Sequence, residues 1–155
     1  MSQDESLQSG AQELKRADHS IAVSLKYTRT VDVIKSIVER LINTIGFCLD
    51  ALLAHAKAQK KIAELPALPR LKVEQVKKLY ASDRTITDFC DFYLLLRKID
   101  KARFERAQEY RRHVTMTAYV EDESVEITID IISDYFERTK EFLNYVSRLI
   151  HGSSE

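Results

Sequence analysis

The sequence predicts a mainly α, up-and-down bundle of four to five helices, with a short β-hairpin as a candidate element before the last one. Three observations carry that prediction. Turn residues are scarce, with 3 Gly and 2 Pro in 155 residues, too few for the tight turns of a sheet-rich fold. Apolar residues step by three and four over long stretches, the spacing of a buried helix face. Hydrophobic residues make up 45% and charged residues 31%, a globular composition. A chain of this length buries a real core without a metal or disulfides.

Taken in order, residues 1–10 read as a frayed, disordered tail and residues 11–150 as a single helical-bundle domain. Residues 151–155 read as a frayed C-terminus. A first helix is expected from Ala11 to Leu25, with Leu14, Ala17, Ile21 and Leu25 on one face. Thr30 is a good N-cap for a second helix, with Asp32 in its first turn. From there Val31, Ile34, Val38, Leu41, Ile45, Cys48 and Leu52 form a heptad seam that fades through His55, Gln59 and Ile62. This helix is expected to reach Leu65, where Pro66 and Pro69 stop it. Gly46 reads as a close helix crossing or a bend.

Leu71–Tyr80 reads as a short third helix or a capped connector. Ser82, Asp83 and Thr85 offer caps for a fourth, expected from Ile86 to His113. The stretch 114–131 has two readings. Its β-branched runs around Glu121–Ser124 suggest a hairpin, whereas Val125, Ile129, Ile132 and Phe136 keep the helical period. A last helix over Ile131–Leu149 follows from either.

The bulk properties exclude little. Net charge is zero, so whole-molecule charge favours no class of partner. Cys48 and Cys90 stand alone in apolar stretches and read as reduced core residues. The polar, acidic start carries no apolar h-region, and no run approaches the ~18 apolar residues of a membrane span. A cytoplasmic protein without membrane contact is expected. No phosphate-binding glycine loop, no G-x-S-x-G, no zinc spacing and no Glu-x-x-His pair occurs. No metal and no cofactor is therefore expected. His19 and His55 read as packing histidines, and His151 as a solvated one.

One stretch stands out. Residues 97–113 hold seven Lys or Arg (Arg97, Lys98, Lys101, Arg103, Arg106, Arg111, Arg112) against Asp100, Glu105 and Glu109. On a continuing helix Arg106, Tyr110 and His113 would share one face. An aromatic among basic groups can stack a base while cations hold phosphates. Arg103, Tyr110, Arg111 and Arg112 are the candidate nucleic-acid contacts. Downstream, Glu121–Glu137 carries seven acids and no Lys or Arg, so internal or intersubunit charge pairing is the competing reading.

The segment Arg106-Ala-Gln-Glu-Tyr-Arg-Arg-His113, an Arg and a His separated by six residues, resembles the hallmark of the HEPN superfamily. Its place, late in the expected fourth helix and before a final one, is similar too. The resemblance implies a small dimeric helical bundle of the kind common in toxin–antitoxin and defence systems, some members of which lack catalysis. In active members the Arg and His of two subunits meet and cleave RNA without a metal. Carried over, His113 is the acid/base on the 2′-hydroxyl or leaving group and Arg106 the phosphate clamp. The surplus apolar surface of the long helices also points to a homodimer. The rival expectation is a non-enzymatic adaptor bundle that binds a partner protein and whose basic and acidic stretches pair with each other.

Overall fold

The computed structural model describes residues 1–152; the remainder of the C-terminus expected to fray, 153–155, lies outside the described residues. Four helices pack around a central fifth, and a three-stranded antiparallel sheet precedes the last. This is the mainly α bundle with a hairpin that the sequence predicts.

Helix α1 (Gln3–His19) begins well before Ala11, so most of the expected tail is helical. The cause is a capping box. The Ser2 hydroxyl accepts from the Glu5 amide at 3.1 Å, and the Glu5 carboxylate accepts from the Ser2 amide at 2.9 Å. Ser6, Leu7 and Gly10 are then buried. After His19 the helix widens into a π-turn (Ser20–Ser24), and one further α-turn (Leu25–Tyr27) buries Leu25.

Helix α2 (Val31–Ala58) starts at the expected cap, where the Thr30 hydroxyl accepts from the Val33 amide at 3.3 Å. It stops short of Leu65. Lys60 takes a left-handed φ of 63°, with Lys60 N–H on Lys57 C=O at 2.9 Å and Lys61 N–H on Ala56 C=O at 2.9 Å. That is a Schellman closure built on lysine instead of glycine. The seam residues Val31, Ile34, Val38, Leu41, Ile45, Cys48 and Leu52 are all fully buried. They face α1 and the later helices of the same chain, so the seam is not available to a second copy.

Helix α3 (Pro69–Leu79) opens with Pro at its first position. Helix α4 (Arg84–Lys101) is capped by Asp83, whose carboxylate accepts from the Ile86 amide at 3.1 Å. It ends at Lys101, and Ala102 is already extended. The expected continuation to His113 is instead strand β1 (Arg103–Ala107), pairing with β2 (Thr115–Val120). Beyond the buried Ile99, Arg103 to Ala107 pair in register with Tyr119 to Thr115, and that pairing overrides helix propensity. Strand β3 (Glu123–Ile127) completes the sheet in the order β1-β2-β3. Residues 115–127 are thus the hairpin of the two readings. Helix α5 (Ile129–His151) follows, capped by Thr128.

Met116, Ala118 and Ile127 bury the inner face of the sheet, which packs toward α2 and α4. Gly46 lies inside unbroken α2 under the Tyr93 ring of α4, so it marks a helix crossing. Gly10 sits where α1 meets α2 and α5. A Cβ there would lie 3.4 Å from Phe47 Cβ and 3.5 Å from Leu143 Cδ1, ordinary packing distances. Gly10→Ala is therefore expected to raise stability by about 0.5–1 kcal/mol through helix propensity, read as a higher urea midpoint. An unchanged or lower midpoint would mean the helices approach more closely than described.

Candidate functional site

The β1–β2 loop, residues 108–114, is pinned against the start of α2. The Tyr110 amide donates to the Arg29 carbonyl at 2.6 Å, and the Val31 amide donates to Glu109 Oε2 at 2.9 Å. Glu109 thus satisfies an orphan N–H at the positive end of α2. Arg106 braces the same joint from β1, donating to Asp32 Oδ1 at 2.9 Å and to Glu109 Oε2 at 3.4 Å. The hydrogen bond to Asp32 raises the Arg106 pKa further.

Gln108 and Tyr110 both have left-handed backbones, with φ of 56° and 66°. For a bulky aromatic this is costly, about 1 kcal/mol or more, and is held only by the surrounding bonds. Tyr110 is 76% exposed. Arg111, Arg112 and His113 follow it, all exposed. Among the described residues Arg111 and Arg112 make no ion pair.

Arg112 and His113 line a cleft of about 320 Å³ together with Arg29 and the first residues of α5, Thr128, Ile129 and Asp130. The Arg29 Nε is itself buried without an acceptor, so only the rest of that side chain is open to the cleft. Two arginines and a helix N-terminus face one carboxylate, an arrangement suited to an anion.

The six residues singled out by sequence are therefore divided. His113 and Arg112 meet in the cleft, and Tyr110 and Arg111 stand on its loop. Arg106 does not line it, being turned onto Asp32 and Glu109; it shares no helix face with Tyr110 and His113. Arg103 lies on the outer face of the sheet, its guanidinium 4.6 Å from the Tyr119 ring centre, and Tyr119 donates to Glu105. The sequence reading missed Lys26, Tyr27 and Arg29. Tyr27 is 78% exposed, and the basic–aromatic run Lys26-Tyr27-Thr28-Arg29 between two helices was the available signal.

Pairing between the basic and acidic stretches accounts for little of this. Among the described residues Lys98 to Glu121, at 2.7 Å, is the single ion pair that joins them. Cysteine chemistry has no foothold either. Cys48 and Cys90 are buried; burial pushes the Cys90 thiol up to about 11 and raises Cys48 as well. Among the described residues no three His, Cys, Asp or Glu converge as metal ligands would. No helix among them is long and apolar enough to cross a membrane. Compared with known proteins, the chain matches no family model, no curated protein and no solved structure.

Proposed function

We propose that this protein binds RNA through the β1–β2 loop and the adjoining Lys26–Thr30 segment. The observation that carries the reading is Tyr110, exposed on a strained backbone between unpaired arginines and an anion-suited cleft. Tyr110 and Tyr27 supply faces on which bases stack, and Arg29, Arg111 and Arg112 supply phosphate contacts. In this reading His113, which lines the cleft with Arg112 and Arg29, acts as acid/base toward a phosphodiester, the role the HEPN resemblance implies. The phosphate clamp falls to Arg112 or Arg29 in place of Arg106, whose guanidinium is already spent on two carboxylates. Cleavage and a homodimer whose two His113 side chains converge are part of the same proposal.

The test is fluorescence anisotropy with a single-stranded RNA across a salt series. Tyr110→Ala is expected to weaken binding by about 1–3 kcal/mol. Arg111→Ala with Arg112→Ala is expected to lower the salt slope by about one unit per lost phosphate contact. Wild-type protein in EDTA should cleave the RNA and His113→Ala should not. RNA affinity unmoved by all three changes would remove the site.

The adaptor reading is favoured by one observation, the commitment of Arg106 to Asp32 and Glu109 within the chain. Under it the loop substitutions would alter association with a partner protein, and no RNA binding would be there to lose.

A further inference from the structure

A second basic cleft lies between α1, the π-turn and α2, away from the β1–β2 loop. It encloses about 750 Å³ and is lined by Lys15, Arg16, Asp18, His19, Ser20 and Arg40 among others. Two of these, Arg16 and Arg40, converge on Glu13, 7% exposed and the only carboxylate among the buried polar side chains of the described residues. One oxygen, Oε1, accepts from both Arg16 Nη1 at 3.0 Å and Arg40 Nη1 at 3.1 Å, while Oε2 accepts from Asn43 Nδ2 at 3.0 Å. Two guanidinium groups that would otherwise repel are thus gathered on a single atom and fixed side by side.

Neither arginine is used up by this. Arg16 keeps a side chain 61% exposed, and that of Arg40 is 36% exposed. Lys15 and His19 add donors on the rim, and Asp18 is the single acid besides Glu13 in the group. The wall they face is the π-turn, whose i→i+5 bond from Leu25 N–H to Ser20 C=O widens the helix beside Ser20 and Ala22; such turns recur where helices shape a site. Two guanidinium groups fixed side by side, each with part of its side chain open to the cleft, suit the oxygens of a phosphoryl group. The volume is within the roughly 300–1,000 Å³ of small-ligand pockets, enough for a nucleoside as well as its phosphate.

We propose that this cleft binds a small phosphate monoester of mononucleotide size, with Arg16 and Arg40 on the phosphoryl oxygens and Lys15 at the rim. Arg40 lies nine residues beyond Val31, about 14 Å along α2, so the cleft is separate from the loop proposed to hold RNA.

The test is calorimetric titration of the full chain with AMP, and with inorganic phosphate as a second probe. AMP is expected to bind with a dissociation constant below about 1 mM, more tightly than phosphate alone. Arg40→Gln should weaken it about tenfold or more. Lys15→Ala, an exposed change that leaves the Glu13 cluster intact, should weaken it about threefold. Arg111→Ala should leave it unchanged, since that residue belongs to the RNA surface. No heat with AMP at about 10 mM, or binding equal in wild type, Lys15→Ala and Arg40→Gln, would overturn the proposal. AMP binding lost in Arg111→Ala and kept in Lys15→Ala would assign the anion to the loop and overturn it equally.

Discussion

Phe142→Ala is expected to cost about 4 kcal/mol of stability, the largest loss from any single truncation considered. Phe142 is fully buried on α5 and stacks on Phe89 of α4, ring centres 4.4 Å apart and 13° from parallel. Phe89 meets Phe92 edge-on at 6.0 Å, and Phe92 meets Tyr135 edge-on at 5.2 Å. Arg138 lies over the Phe92 ring at 4.1 Å. The rings form a ladder between two helices whose backbones stay apart, so little backbone packing is present to close the gap after truncation. The loss combines transfer, cavity and ring-stacking contributions. Phe142→Leu, which keeps much of the volume, is expected to lose less than half as much. Chemical denaturation checks both, and a loss under about 1 kcal/mol for the alanine change would mean that α4 and α5 are not joined by this ladder.

Glu13→Ala is expected to cost about 3 kcal/mol at neutral pH, because it strands Arg16, Arg40 and Asn43 around a vacated buried site. Burial by itself raises the Glu13 pKa, but the hydrogen bonds from Asn43 and Arg16 and the charges of Arg40 and Arg16 outweigh it. The folded value therefore lies below the ordinary 4.5. A depressed carboxylate stabilises the fold above its unfolded pKa, and that contribution disappears as pH falls through the folded one. The stability gap between wild type and Glu13→Gln should be full at neutral pH and shrink progressively below 4.5. A gap that stays constant on acidification would mean that the carboxylate charge is not what the cluster needs.

Much of the fold was legible because local and tertiary preferences agree. Thr30 and Asp83 are caps by chemistry and by position, and the α2 seam is buried where its spacing says. The hairpin strands alternate as expected, with Met116 and Ala118 inward and Thr115 and Thr117 less buried. Three features were hidden for separate reasons. The capping box at Ser2 and Glu5 was on view, but the polar composition around it masked Leu7. The end of α2 rests on Lys60 in a conformation glycine usually marks, so no residue type announces it. Strand β1, Arg103-Phe104-Glu105-Arg106-Ala107, fits either period and becomes a strand only because β2 is there to pair with it.

The candidate site failed to show itself for the same kind of reason. Tyr110 and His113 were visible as residue types, yet the partner segment Tyr27–Arg29 lies far away in sequence and joins them through one backbone bond from Tyr110 to Arg29. Reading β1 as helix also placed Arg106 beside His113. The register puts it opposite Met116 instead and within reach of Asp32.

Strand β1 is also an open border. It lies at one side of the order β1-β2-β3, so one row of its backbone N–H and C=O groups has no strand beside it. Such a border recruits strands from other molecules unless something discourages them. Here the discouragement is the side chains themselves, Arg103, Glu105 and Arg106 on β1 and Glu123 and Glu126 on the opposite border β3. The arginines of β1 thus serve as gatekeepers of solubility whatever else they touch. Neutralising them removes a barrier to intermolecular sheet growth, and a loss of function in an Arg103 or Arg106 variant is interpretable only beside its sedimentation profile.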